Sequence, residues 1–354
     1  MKNKELYYEL FNMPGAAGNE HFVKEFVKTE LEKYSDEIVM DRIGSVFGIK
    51  HGPKGSPVVM LAGHMDEVGA MVVGFKDNGL IKMKALGGLS GKVFASQHMS
   101  IILDDGTKIP GVTGTVPPHL AKEAKNADKF DDLTLDIGAD NKDHIKELGI
   151  KIGDMIIPEN RIVETVDGKK VITKAVDNRW GCGMVIELMK DIKDLELNCT
   201  IVAGCTVQEE VGLRGAQTAT QMINPDMFIA LDASPCGDII DGPNTWGKLG
   251  DGFLLRFLDR VAIMHKGMKK LFIDTAKEND IKYQNFYSAG GTDAGKAQLS
   301  HAGVLSATIG LPARYIHSTT SMFHKEDHED AKSVLRALVK KIDNKLIEEV
   351  RSNV

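Results

Sequence analysis

Seven residues of this chain are of types that can hold a cation or move a proton, and they fall at comparable places: His64, Asp66, Asp177, Glu209, Glu210, Asp232 and His317. His64 and Asp66 follow the apolar run Val58-Val-Met-Leu-Ala62, Glu209-Glu210 close the run 199–208, and Asp232 follows 227–231. His317 comes after 303–309 by way of Pro312-Ala-Arg-Tyr315, and Asp177 stands just before a predicted helix in Lys174-Ala-Val-Asp-Asn-Arg179. In an open α/β sheet, ligands bind outside the carboxyl ends of the strands. Two adjacent glutamates repel each other and lose hydration there, so the fold needs a reason to keep both. A cation supplies one, with one carboxylate binding metal while its neighbour handles a proton. Taken singly, each residue has a plainer explanation. Paired acids suit the start of a solvated helix, an Asp before a helix caps it, and a lone His is ordinarily a satisfied surface or core residue. Several acids and imidazoles at the strand ends of one sheet are harder to ascribe to accident.

The mixture of types narrows the chemistry. Two histidines and three carboxylates suit a pair of borderline divalent ions better than thiolate-rich structural zinc. A carboxylate bridging two such ions sets them roughly 3.5–4 Å apart, leaving room for a shared water of lowered pKa whose proton a free carboxylate can take. Asp66, two residues beyond His64, is placed to accept the other ring N–H and hold its tautomer.

The elements that must position these residues alternate. Helical spacing over 3–12 and about 20–34, with Asn19 as a candidate cap for the second helix, precedes strand-like runs at 46–50 and 58–62. From about Gly69 to Val163 short β segments alternate with turns such as Asp104-Asp-Gly-Thr107, with one helical stretch around 141–148. After Thr173 helices and apolar strands alternate again, ending in an amphipathic helix over 331–349. The pattern implies an α/β domain, 1–68 with 164–354, interrupted by a compact β domain, 69–163, which is not expected to carry the chemistry. The stretch His324-Lys-Glu-Asp-His-Glu-Asp330 reads as a solvated helix start rather than a metal tract.

At 354 residues the chain can bury a large core. A net charge of -6 offers no basic surface for nucleic acid or an anionic membrane. No run approaches a membrane span and no signal peptide is evident, so the expected location is the cytoplasm. Cys182, Cys199, Cys205 and Cys236 have no CxxC spacing and read as buried free thiols.

Several segments together resemble the M42 family of metallo-aminopeptidases, in particular the bacterial glutamyl aminopeptidases and the archaeal tetrahedral aminopeptidases. They are His64-Met-Asp-Glu-Val-Gly69, Ala175-Val-Asp-Asn-Arg179, Gln208-Glu-Glu-Val-Gly-Leu-Arg-Gly-Ala216, Gly290-Gly-Thr-Asp-Ala294 and Ala313-Arg-Tyr-Ile-His-Ser318, with Thr113-Gly-Thr-Val-Pro-Pro-His-Leu120 inside the insert. The resemblance implies a zinc-peptidase-like catalytic domain, a mixed sheet flanked by helices, carrying a small inserted β-barrel or PDZ-like dimerisation domain. It implies two divalent ions, zinc or cobalt, with Asp177 bridging, His64 and Asp232 completing one site, and Glu210 and His317 the other. Glu209 would be the general base and Asp66 the residue that tunes His64. Gly291, Thr292 and Asp293 would line the substrate site, and Arg256 or Lys248 would meet an acidic side chain, although a structural salt bridge explains either cation as well. The expected substrates are peptides with N-terminal Glu or Asp, and the expected assembly is a dimer-based homo-oligomer extending to a tetrahedral dodecamer. A broad or leucyl-type aminopeptidase, a deacylase or carboxypeptidase, an endoglucanase and a metal-stabilised assembly protein remain alternatives. One departure stands beside a candidate ligand: His317 is followed by Ser-Thr-Thr-Ser-Met-Phe where many relatives have Ser-Pro-Val-Glu.

Overall fold

A computed structural model describes residues 1, 3–120, 129–240 and 247–353. Four strands, Thr200–Thr206, Val58–His64, Met227–Pro235 and Leu305–Arg314, run parallel in that order at the heart of an eleven-stranded sheet. They are almost continuously apolar because both their faces are covered. Val59 and Leu61 join the large cluster built with helices Lys4–Asn12, His21–Glu32, Val176–Ile192 and Lys325–Val339. Met60 and Ala62 point the other way, into a smaller cluster with Ala219 of Arg214–Ile223 and Ala294 and Ala297 of Ala294–Gln298. Parallel strands end on the same edge. The chain therefore delivers His64, the loop after Thr206, Asp232 and the segment after Arg314 to one side of the sheet.

Six antiparallel strands between Gly69 and Pro158 close into a separate barrel with its own core, including Val72, Ile81, Phe94, Met99, Ile101, Leu135 and Ile156. Asn141 caps the short helix Lys142–Glu147 within it, accepting from the backbone of Asp143 and His144. Residues 121–128 of the expected insert lie outside the described residues.

Three local expectations need correction. The N-cap of His21–Glu32 is Glu20, not Asn19. The closing helix is two, Lys325–Val339 and Asn344–Ser352, because Asp343 turns its side chain onto the Leu346 N–H and starts a new helix. The charged stretch before it is not simply solvated: Asp327 and His328 are fully buried. Asp327 receives the N–H groups of Gly250 and Gly252, and His328 accepts from the Trp180 indole. These hydrogen bonds offset part of the desolvation that the sequence alone would count against such residues. The four cysteines are free and buried.

Candidate active site

The sheet edge gathers the expected residues around one cavity of about 460 Å³, lined by His64, Asp177, Glu209, Glu210, Asp232 and His317 among others. Asp232 lies within strand Met227–Pro235 rather than after it. Asp177 sits at the entry to Val176–Ile192, where its backbone and that of Asn178 depart from helical angles. Its two oxygens face different histidines: Oδ1 is 3.1 Å from His64 Nε2 and Oδ2 is 3.4 Å from His317 Nε2. Asp232 Oδ1 and Glu209 Oε2 lie 3.6 and 3.9 Å from His64 Nε2, while Glu210 Oε2 lies 3.5 Å from His317 Nε2.

Both imidazoles are oriented from behind by backbone carbonyls. His64 Nδ1 is 2.9 Å from the Asp66 carbonyl, and His317 Nδ1 is 3.2 Å from the Gly88 carbonyl. A carbonyl only accepts, so each Nδ1 carries the proton and each Nε2 turns toward the carboxylates. The Asp66 carboxylate, expected to hold His64, is farther from the ring at 3.5 Å. Its oxygens are instead taken by the N–H groups of Glu209 and Glu210, each at 3.0 Å. Gly88 belongs to the insert, expected to carry no chemistry, yet it lines the cavity. A Cβ there would stand 3.1 Å from His317 Nδ1, so glycine permits the approach.

The electrostatics are unbalanced. Burial, and then the charges of Asp232, Asp293 and Glu210 against the pull of His64, push the Glu209 carboxyl well above the usual range. Burial and the Asp177 charge raise Glu210 to about 8. Burial raises Asp293 to about 7. Burial alone would raise Asp177 as well, but hydrogen bonds from His317 and His64 hold it far below the carboxylate range. Against burial, Asp177 and Glu210 draw His317 up to about 10. Glu210 Oε1 and Asp293 Oδ1 are buried without a hydrogen-bond partner. Orphaned acceptors, like-charged acids and imidazoles presenting Nε2 form a donor set that fits divalent cations. The ligand atoms of His64, Asp177 and Glu210 lie within 4.8 Å of one another, as do those of His64, Glu209 and Asp232.

The remaining expected residues separate. Gly291 lines the cavity, as does Arg256, which is buried, pairs with Asp259 at 3.1 Å and keeps Nη2 unpartnered. Thr292 is buried beneath, bonded to Thr308 at 2.9 Å, and Asp293 receives the Thr206 hydroxyl at 2.5 Å. Lys248 is not among the residues lining the cavity; it is exposed and paired with Asp251, three residues on, at 3.1 Å. Of its two readings as a cation, the surface ion pair is the one seen. Arg260, Val261, Ser288 and Leu213 line the cavity without having been singled out, since nothing in their spacing marks them. In the departing segment, Thr319 donates to Gln97 of the barrel at 3.0 Å.

A family model described as M42 glutamyl aminopeptidase matches residues 44–334. The chain belongs to the M42 peptidase family. As an M42 peptidase it is a hydrolase acting on peptides. It is 39% identical over 347 residues to a glutamyl aminopeptidase of Lactococcus lactis subsp. cremoris (strain MG1363), covering 97% of each chain. Its structure superposes on a TET aminopeptidase of the marine sediment archaeon Thaumarchaeota archaeon SCGC AB-539-E09 with a TM-score of 0.94 and 34% identity, over 99% of both chains. The Pyrococcus horikoshii TET1 peptidase, which can assemble into a tetrahedron or a large octahedral shell, matches with a TM-score of 0.86 and 29% identity, over 96% of this chain and 99% of that one.

Proposed function

We propose that this M42 peptidase is a two-metal aminopeptidase that removes the N-terminal residue of peptides, with Glu209 as its general base. The observation that carries the reading is Asp177, a buried carboxylate presenting one oxygen toward each histidine, as a bridging ligand must. Asp177 would be shared, with His64 and Asp232 completing one site and Glu210 and His317 the other. Glu209 also lies near His64 and Asp232, and it is the resemblance to M42 peptidases that makes it the base rather than a ligand. When bound, a pair of zinc or cobalt ions would lower the pKa of a shared water and polarise the scissile carbonyl. Glu209 takes a proton as the water oxygen bonds the carbonyl carbon, then returns it to the amine as the C–N bond breaks. The acid-lined end of the cavity suits a substrate's free α-amine, which confines cleavage to the first residue.

The proposed preference for N-terminal Glu or Asp rests on Arg256, which lines the cavity and keeps a buried Nη2 without a hydrogen-bond partner, and on the glutamyl aminopeptidase relative. Arg260, exposed at the rim, offers a second cation. The second reading is a broad or leucyl-type aminopeptidase, favoured by the apolar Leu213, Val261 and Ile316 in the same wall. An endoglucanase needs two carboxyl groups free to flank a sugar, whereas here the acids converge on two histidines. A deacylase would accept an N-acetylated peptide that an aminopeptidase refuses. We further propose a homo-oligomer, with the barrel as the dimerisation domain and a tetrahedral dodecamer as the closed form, working in the cytoplasm. Light scattering tests the assembly.

A panel of aminoacyl chromogenic substrates with defined metals tests the chemistry and the preference together. Hydrolysis should vanish with chelator and return with zinc or cobalt; activity that survives chelation refutes the two-metal reading.

A further inference from the structure

Gln208, Glu209 and Glu210 present three successive backbone N–H groups, and each meets a buried carboxylate. The Gln208 N–H donates to Glu20 Oε1 at 3.0 Å, the Glu209 N–H to Asp66 Oδ1 at 3.0 Å and the Glu210 N–H to Asp66 Oδ2 at 3.0 Å. Glu20 is 6% exposed and Asp66 is fully buried. Glu20 Oε1 also receives the Gly18 N–H at 2.9 Å, which ties the chain before helix His21–Glu32 to the same loop. The loop is otherwise irregular there: Gln208 has φ +55°, so no strand ladder continues to hold it. His64 does not need the Asp66 side chain for its orientation, because the Asp66 carbonyl already accepts its Nδ1–H.

The geometry points to Glu20 and Asp66 as a two-carboxylate clamp whose task is to aim Glu209 and Glu210. They are positioning residues, acting through the backbone of the loop rather than on the substrate. This rests on Glu209 and Glu210 being the base and a ligand, and it adds Glu20, a residue that no motif in the chain marks. A carboxylate that accepts two N–H groups can be replaced by any side chain with an oxygen in the same place, so the amide should serve where a methyl group should not.

The experiment uses the full chain carrying Glu20→Ala and Glu20→Gln. In Glu20→Ala, kcat should fall by about tenfold or more with KM within about twofold, since a small misplacement of a catalytic group costs rate before it costs binding. Zinc content by elemental analysis should stay at the wild-type value. Glu20→Gln should remain within about threefold of wild type. Amide hydrogen exchange across 207–211 should lose protection in Glu20→Ala and keep it in Glu20→Gln, a readout that does not depend on turnover. Unchanged exchange and unchanged kcat in Glu20→Ala overturn the clamp, as does a Glu20→Gln variant that falls as far as Glu20→Ala. Should Glu20→Ala not fold, Glu20→Asp, one methylene shorter, carries the same comparison. If the wild-type protein shows no aminopeptidase activity, the functional reading fails while the exchange result still decides the clamp.

Discussion

Two clusters of buried charge stand side by side in this protein and are balanced in opposite ways. In one, Glu67 receives both Lys174, with Nζ 2.6 Å from each carboxylate oxygen, and Arg179, with Nη2 at 3.2 Å. Arg179 spends its other donors on the carbonyls of Leu10, Met13, Gly15 and Met65. This cluster is complete within the chain, and it joins the N-terminal segment to the chain beside His64 and Asp177. In the other, Asp177, Glu209, Glu210, Asp232 and Asp293 share two imidazoles, and buried oxygens are left without partners. A protein pairs the charges it uses for architecture. Charges it leaves uncompensated in a cavity mark where something else is meant to bind.

That contrast can be broken by substitution. The largest effect is expected at Glu209→Gln, which should lower turnover by about 10²–10⁴-fold while metal content stays at the wild-type value. Near-normal kinetics there would remove Glu209 from its role. Next, Lys174→Met takes one of the two cations from buried Glu67, leaving Arg179, and should cost about 1–3 kcal/mol in chemical denaturation. Adding Glu67→Leu should not recover the loss, because it also strips the buried Arg179 guanidinium of its carboxylate partner. If the double variant recovers wild-type stability, Glu67 is not what holds the two cations in place. The acid-rich cluster should respond with the opposite sign. In chelated protein, Asp232→Asn removes one of several repelling charges and should leave stability unchanged or raise it by about 1 kcal/mol.

A third buried cluster sharpens the rule through pH. Glu187 takes the Tyr7 hydroxyl at 2.8 Å and Lys332 Nζ at 3.0 Å. Burial works against its charge, but His328, Tyr7 and Lys332 together hold it down to about 2. A folded-state value below the unfolded one stabilises above about pH 4.5, and the contribution is lost as pH falls toward 2. Urea titrations of wild type and Glu187→Gln should therefore differ by on the order of 1–3 kcal/mol at pH 7 and converge in acid. A constant difference across that window would assign the effect to packing instead. A modest change is expected at Arg256→Ala, which should lower kcat/KM for an N-terminal Glu substrate about tenfold relative to Leu. An unchanged Glu/Leu ratio would favour the broad reading.

The ends of the parallel strands were legible in the chain because their apolar runs stop abruptly at polar residues. His64, Asp232, Asp177, the glutamate pair and His317 could be nominated from that pattern, and the fold does gather them. Lys248 was nominated by its charge within a segment of family resemblance, and neither says which way a surface side chain turns. The roles of Gly88 and Glu20 were not legible, since both depend on a loop from a distant part of the chain arriving within hydrogen-bond distance. A glycine carbonyl carries no mark in sequence, and a glutamate before a helix looks like an ordinary first-turn acid. Asp66 shows the limit most clearly: its importance was readable, but the partner of its carboxylate was not.

By itself the sequence determined the alternation of elements and the inventory of acids and imidazoles, because hydrophobic period and residue chemistry are local properties. Only the tertiary structure decided which donor meets which acceptor. Directions of hydrogen bonds and the balance of buried charge follow from how strands stack in parallel and how loops cross their ends, and those contacts join residues more than a hundred positions apart. Glu209 and Glu210 look equivalent in the chain. The neighbours that folding brings to each, His64 and Asp232 to one and His317 and Gly87 to the other, make them different.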